Sequence, residues 1–114
     1  MKYVVDDKNV STEEVQELLH KMLSNNRKVI HDIFNYDNRN YLKEEIALQN
    51  SILITAREGE KLIGLARIVT DGAYDFYLSE LMVIPEKRKE GIWKRLTEKF
   101  IEYFNKKEGH IGFY

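Results

Sequence analysis

Leu78-Ser79-Glu80-Leu81-Met82-Val83-Ile84-Pro85-Glu86-Lys87-Arg88-Lys89-Glu90-Gly91-Ile92-Trp93 is the stretch that decides the fold. Its first seven residues read as the end of a strand running from Phe76 to Ile84, stopped by Pro85, which has no N–H to give to a sheet. A charged loop follows, and from Gly91 the period changes. Ile92, Leu96, Phe100 and Phe104 recur every four residues, so a helix is predicted from about Gly91 to Asn105. A strand, a loop and a helix entered through glycine leave backbone N–H groups open at the positive end of a helix dipole, where an anion is favoured. The side chains agree. Lys87, Arg88, Lys89, Lys94 and Arg95 face a single acid, Glu90, within nine residues. Phosphate binding is one reading of this junction, and a solvated basic loop closing a strand–helix unit is the other. A Walker A loop is excluded because no Gly-x-x-x-x-Gly-Lys-Ser/Thr occurs. A dinucleotide fingerprint is excluded because Gly91 is the only glycine between Gly72 and Gly109.

Upstream of the junction the chain reads as strands joined by tight turns. Ile52–Arg57 is rich in β-branched residues, Glu58-Gly59-Glu60-Lys61 makes a turn, and Leu62–Val69 is a second strand. Thr70–Ala73 turns again into the strand Phe76–Ile84. Two of these runs are close to continuously apolar, as in a sheet covered on both faces. Further back, Tyr3-Val4-Val5 reads as a short strand. Ser11 and Glu14 form a capping box that opens a helix with an apolar stripe of Val15, Leu18, Leu19, Met22 and Leu23. Val29, Ile30, Ile33 and Phe34 fit one or two more helical turns, and the Asn- and Asp-rich run 35–40 fits a loop. A short helix is predicted over Tyr41–Gln49, with Tyr41, Leu42 and Ile46 as its apolar side. Trp93, Ile101 and Tyr103 should widen the apolar face of the last helix. Gly109 caps its end, and His110–Tyr114 reads as the start of another strand.

Composition narrows the class of protein. At 114 residues and with no linker or repeat, one domain spanning 1–114 is expected. Eighteen basic against nineteen acidic residues give a net charge of −1, which speaks against a surface coated for nucleic acid. The strip Lys87–Arg95 still offers a local contact, without any recognised reading module beside it. No cysteine is present, so there is no disulfide framework, zinc ribbon or thiol nucleophile. No apolar run reaches membrane-spanning length and no signal-peptide core follows Met1, so a cytoplasmic location is expected. His20, His31 and His110 do not have metal-ligand spacing, and no metal site is expected.

The pattern from Leu62 to Phe104 resembles the GNAT N-acetyltransferases. Leu62–Val69, then Asp71-Gly72, then Tyr77–Ile92 are similar to that superfamily's strand ending in an apolar-Pro-Glu step, followed by Arg/Gln-x-x-Gly-x-Gly/Ala and a long helix. The resemblance implies an α/β (α+β) fold with a mainly antiparallel sheet flanked by helices, in the order β-α-α-β-β-β-α. It also implies acetyl-CoA as co-substrate and a small-molecule or peptide amine as acceptor. By that match the backbone of Leu81, Met82 and Val83 would pair with the pantetheine arm. The amides of Arg88, Lys89, Glu90, Gly91, Ile92 and Trp93 would hold the pyrophosphate. Glu80 is the candidate base, acting directly or through water; its plainer reading is a carboxylate paired with a neighbour such as Arg67.

Two features depart from the family pattern. Trp93 stands where a small residue lets the diphosphate approach the helix. The family continues with further strands and a helix, of which only His110–Tyr114 could begin a strand here, so the C-terminal elements are expected to be missing or very short. An uncovered edge along Phe76–Ile84 would attract another chain. A homo-oligomer covering that edge is therefore expected, and a catalytically inactive interaction module is the alternative to an enzyme.

Overall fold

The computed structural model describes residues 1–23 and 41–106. β1 (Lys2–Val5) is followed by helix α1 (Thr12–Leu23), a helix α2 over residues 41–49, and then β2 (Ile52–Glu58), β3 (Lys61–Thr70) and β4 (Phe76–Val83). A 3-10 turn over Pro85–Glu90 leads into α3 (Ile92–Lys106). The four strands form one sheet in the order β1-β2-β3-β4, each neighbour antiparallel. The mixed α/β architecture expected from the sequence is present, with its element order. The helical turns expected at Val29–Phe34, the loop at 35–40, the Gly109 cap and the strand at His110–Tyr114 lie outside the described residues.

Local chemistry explains the elements. Ser11 Oγ accepts from the Glu14 N–H at 3.1 Å, and the Glu14 carboxylate accepts from the Ser11 N–H at 3.0 Å, so the capping box forms as its spacing implies. The β2–β3 turn closes on Gly59 with φ 63°, a left-handed conformation natural to glycine. At the β3–β4 turn, Asp71 Oδ1 accepts from the Ala73, Tyr74 and Asp75 amides at 2.8, 2.9 and 3.1 Å. Those amide bonds hold the Asp71 carboxyl below its usual range.

The helices cover both faces of the sheet. α3 packs on the face that carries Gly64 and Phe76. A Cβ at Gly64 would lie 3.2 Å from Ile92 and 3.3 Å from Leu96, so β3 and α3 approach as closely as they do because nothing protrudes there. Phe76 meets Phe104 edge-on at 5.1 Å between ring centroids. α1 packs on the opposite face, with Val15 and Leu18 buried and Leu19 and Met22 partly so.

Two apolar faces differ from expectation. In α2 the expected Leu42 and Ile46 are 70% and 58% exposed, and Leu48 is the buried residue. Tyr41, Glu44, Glu45 and Leu48 share the inward side at i, i+3, i+4 and i+7, which turns Leu42 and Ile46 about 100° away. In α3 the Ile92–Leu96–Phe104 stripe is buried, whereas Trp93 and Ile101 are 45% and 43% exposed. They sit one residue beyond the stripe, and so lie off the face that meets the sheet.

On the α1 face, at the β1 end of the sheet, the polar groups are closely tied. The Asp7 side chain is buried; it accepts from the Thr55 hydroxyl at 2.7 Å and the Asn9 N–H at 2.9 Å. Arg57 donates through Nη1 and Nη2 to the two Glu14 carboxylate oxygens at 2.8 and 3.2 Å, and to the Glu60 and Asn9 carbonyls. The Arg57 bonds lower the Glu14 carboxyl, with the Ser11 contacts adding to the effect.

Candidate functional site

β4 ends the sheet on one side, with no strand beyond it among the described residues. The direction of its backbone groups follows from its register. The Ile84 N–H donates to the Ile63 carbonyl at 3.0 Å, and Val83, Met82, Leu81 and Glu80 stand opposite Gly64, Leu65, Ala66 and Arg67. Antiparallel pairing alternates, so Met82 and Glu80 turn their N–H and C=O groups to β3, while Leu81 and Val83 turn theirs outward. The Val83 carbonyl accepts from Arg88 Nε at 3.4 Å, consistent with that direction. Met82, grouped with Leu81 and Val83 by the family resemblance, therefore has its backbone engaged in the ladder against Leu65. Its side chain goes elsewhere.

The ladder slips once on this strand. Arg67 pairs with Glu80 but Ile68 pairs with Leu78, which leaves Ser79 as an extra residue in β4. Such a bulge bends and twists its strand. Arg67 spans the irregularity, with Nη2 2.9 Å from Ser79 Oγ and 3.0 Å from Glu80 Oε1, and Nη1 3.3 Å from Ser51 Oγ. Glu80 is thus an ion-paired, half-buried carboxylate, fixed by the arginine that its sequence neighbourhood suggested.

Glu80, Leu81 and Met82 meet Val15, Leu19 and Met22 of α1 and Glu44 of α2 around an open cleft of about 270 Å³. The helix side of this cleft was not legible as a site. Val15, Leu19 and Met22 read as an ordinary apolar stripe, and nothing in the sequence singles out Glu44. A larger cavity of about 520 Å³ lies between α1, α2 and the start of β2, lined by residues that include Asp7, Glu13, Tyr41 and Glu45. The Tyr41 hydroxyl donates to Glu13 there, which lowers the Glu13 carboxyl and raises the phenol. It stands away from β4. Among the described residues no group of three or more His, Cys, Asp or Glu is arranged to hold a metal ion.

Beyond the strand, the residues expected to meet an anion divide into two groups. Arg88, Lys89 and Glu90 belong to the 3-10 turn, which opens with the Lys87 N–H donating to the Ile84 carbonyl at 3.0 Å. Gly91 then takes φ 75°, in open space, and Ile92 begins α3. The first i→i−4 bond of that helix runs from the Arg95 N–H to the Gly91 carbonyl at 3.1 Å, so the Ile92, Trp93 and Lys94 amides precede it. Trp93 projects outward, with the Arg88 guanidinium 5.8 Å from its ring centroid. Lys87 is drawn away from the helix end: its ammonium lies 3.0 Å from Glu58 and 3.4 Å from Glu90, which raises its pKa and lowers that of Glu58.

Residues 7–113 match the family model described as an acetyltransferase (GNAT) domain. The aminoglycoside 6'-N-acetyltransferase of Enterococcus faecium superposes with a TM-score of 0.70 at 18% identity, over 96% of this chain and 58% of that one. The PaiA N-acetyltransferase of Thermoplasma acidophilum, solved in complex with coenzyme A, gives 0.68 at 19% identity over 94% and 74%. The GNAT family protein SP0256 of Streptococcus pneumoniae gives 0.63 at 20% identity over 99% and 76%. No curated protein sequence matches closely enough to count as a relative. Against the Enterococcus enzyme the chain spans less than three-fifths of the length.

Proposed function

The chain belongs to the GNAT acetyltransferase family, and on that premise we propose that it binds acetyl-CoA along the outer edge of β4 and transfers the acetyl group to an amine in the cleft beside Glu80. The observation that carries this reading is the outward direction of the Leu81 and Val83 backbone groups, on a strand that leads through Gly91 into the start of α3. An extended amide-bearing arm can add to such an edge as a further strand. Its phosphates then reach the Ile92–Lys94 amides, where the dipole of α3 favours negative charge. Arg88 stands between the two and is free to exchange the Val83 carbonyl for a phosphate oxygen. Trp93 is partly exposed, and nothing lies within 4 Å of a Cβ built at Gly91, so that position is open.

The chemistry assigned to this chain is direct transfer. The neutral amine attacks the thioester carbonyl carbon, a C–N bond forms, the C–S bond breaks, and CoA leaves as a thiolate that takes up a proton. Glu80 receives the proton lost by the amine nitrogen, directly or through water. Arg67 holds that carboxylate in place, and the Ser79 bulge sets the angle at which it enters the cleft. Positioning of the two reactants supplies much of the rate.

Isothermal titration of the folded protein with acetyl-CoA and CoA tests the reading. Saturable binding of both is expected, and absence of heat at millimolar cofactor rejects it. A second reading, a non-catalytic module whose β4 edge is covered by a second copy of the chain, is favoured by that same edge, which no strand covers among the described residues. Light scattering separates the two, since a monomer at high concentration contradicts the module.

A further inference from the structure

The cations beyond β4 differ in what holds them. Lys87 lies between Glu58 and Glu90, at 3.0 and 3.4 Å, and Arg95 reaches Glu98 at 3.8 Å and the Tyr3 ring. Arg88 is held in another way. Among the described residues no carboxylate pairs with it; it meets the Val83 carbonyl, 3.4 Å from Nε, and the Trp93 indole, with Cζ 5.8 Å from the ring centroid. The carbonyl contact is long for an N–H···O bond and holds weakly. The ring stands on a fixed base. Ile92 is buried against Gly64 and Leu96, and one residue on, about 100° further round the helix, Trp93 comes out to solvent. The Thr97 hydroxyl donates to the Trp93 carbonyl at 2.9 Å, and Gly91, with φ 75°, supplies the left-handed turn between residues 88 and 93.

From this pairing we infer that Trp93 is a positioning residue for the cofactor: its indole holds the Arg88 guanidinium at the end of β4, ready to donate to a phosphate oxygen of CoA. The inference rests on the acetyl-CoA reading above. A guanidinium carries five N–H donors in its plane, so one that lies over a ring keeps donors for an oxygen acceptor. Arg88 can therefore give up the weak carbonyl contact for a phosphate while the ring still holds it. An arginine with no platform would be ordered only when the ligand arrives, and the affinity would fall by the cost of that ordering. The small residue that the family pattern places at this position offers no ring. The departure at Trp93 thus moves the ordering of Arg88 into the free protein.

Calorimetric titration with CoA of the wild type, Trp93→Ala, Arg88→Gln and the double variant tests this. Both residues are exposed, so each variant is expected to fold with a melting temperature close to that of the wild type. Trp93→Ala should weaken CoA about fivefold and Arg88→Gln about tenfold. The double variant should bind no more weakly than Arg88→Gln alone, because the ring acts through the arginine. Trp93→Phe, which restores a ring, should recover most of the loss. Wild-type affinity in Trp93→Ala overturns the inference, as do losses that multiply in the double variant or a Phe variant as weak as Ala. Trp93 is the sole tryptophan, so the unmodified protein gives one indole N–H signal by NMR. That signal should shift as CoA saturates the protein, and a signal unmoved at saturation overturns the inference without any variant. Failure of CoA to bind the wild type rejects the acetyl-CoA reading and this inference with it, whereas CoA binding that is indifferent to Trp93 rejects this inference alone.

Discussion

Two arginine–glutamate pairs lie on the same face of the sheet, one strand apart, and they differ in what surrounds them. Arg57 on β2 holds Glu14 with both terminal nitrogens and also meets two backbone carbonyls, with buried Asp7 beside its Nε at 3.8 Å. Every one of those groups belongs to the β1 end of the molecule, and the corner they form is closed. Arg67 on β3 holds Glu80 through a single oxygen and steadies two serines, next to a bulge, a cleft and a strand edge that no described strand covers. The same pair of residue types is thus a structural tie in one place and, on the acetyltransfer reading proposed above, a positioned base in the other. What separates them is how they are held: Glu80, which lines the cleft, is bonded through one oxygen, and Glu14 has both oxygens engaged.

The comparison can be broken by exchanging the arginines. Arg57→Met leaves Asp7 buried without its cation and Glu14 without its partner. It should cost about 3 kcal/mol, which for a domain of this size lowers the melting temperature by roughly 10–20 °C. Arg67→Met should cost about 1 kcal/mol or less, because Glu80 is 40% exposed and water screens it. Equal losses in the two variants, read by thermal melting, would erase the distinction. Glu80→Gln sharpens it from the other side. It should keep the melting temperature within a few degrees and the CoA affinity unchanged, while lowering acetyl transfer about 10²-fold. Wild-type turnover by this variant would remove Glu80 from the chemistry.

Smaller effects address the strand edge and the closed corner. Proline is tolerated in an edge strand where the N–H it removes points outward. Leu81→Pro should therefore fold and bind CoA about tenfold more weakly, whereas the same change at Met82 removes a ladder bond to Leu65 and destabilises the sheet. Acid provides the gentlest probe. The Glu14 carboxyl is depressed below its ordinary value of 4.5 by Arg57. Its contribution is therefore complete above that pH and disappears as the pH falls through the folded-state value. Denaturant titrations between pH 6 and pH 3 should show stability falling below about pH 4.5, and the fall should be shallower in Arg57→Met. An identical slope in both proteins would show that the pair does not carry the effect.

The closed corner and the open edge were unequally legible in the sequence. Strand, turn and helix signals from Ile52 to Phe104 gave the order of elements, because period-2 and period-4 runs and the Ser11–Glu14 spacing are local properties of the chain. Glu80, Leu81, Met82 and Val83 were singled out through the family resemblance, and the structure places all four on the one strand β4. What escaped depends on distant residues. The Arg57 corner joins positions more than 40 residues apart, and the bulge at Ser79 is set by register against β3. The outward turn of Leu81 and Val83 but not Met82 is likewise a matter of ladder phase. Leu42, Ile46, Trp93 and Ile101 were misplaced for a related reason: apolar character alone does not say which side of a helix meets the sheet.

The most direct test of the open edge is amide hydrogen exchange at single-residue resolution, with and without CoA. The account predicts that the Leu81 and Val83 amides exchange quickly in the free protein and become protected when CoA binds, while Met82, already bonded to β3, changes little. Protection confined to other parts of the chain, with Leu81 and Val83 unaffected under saturating CoA, would contradict it.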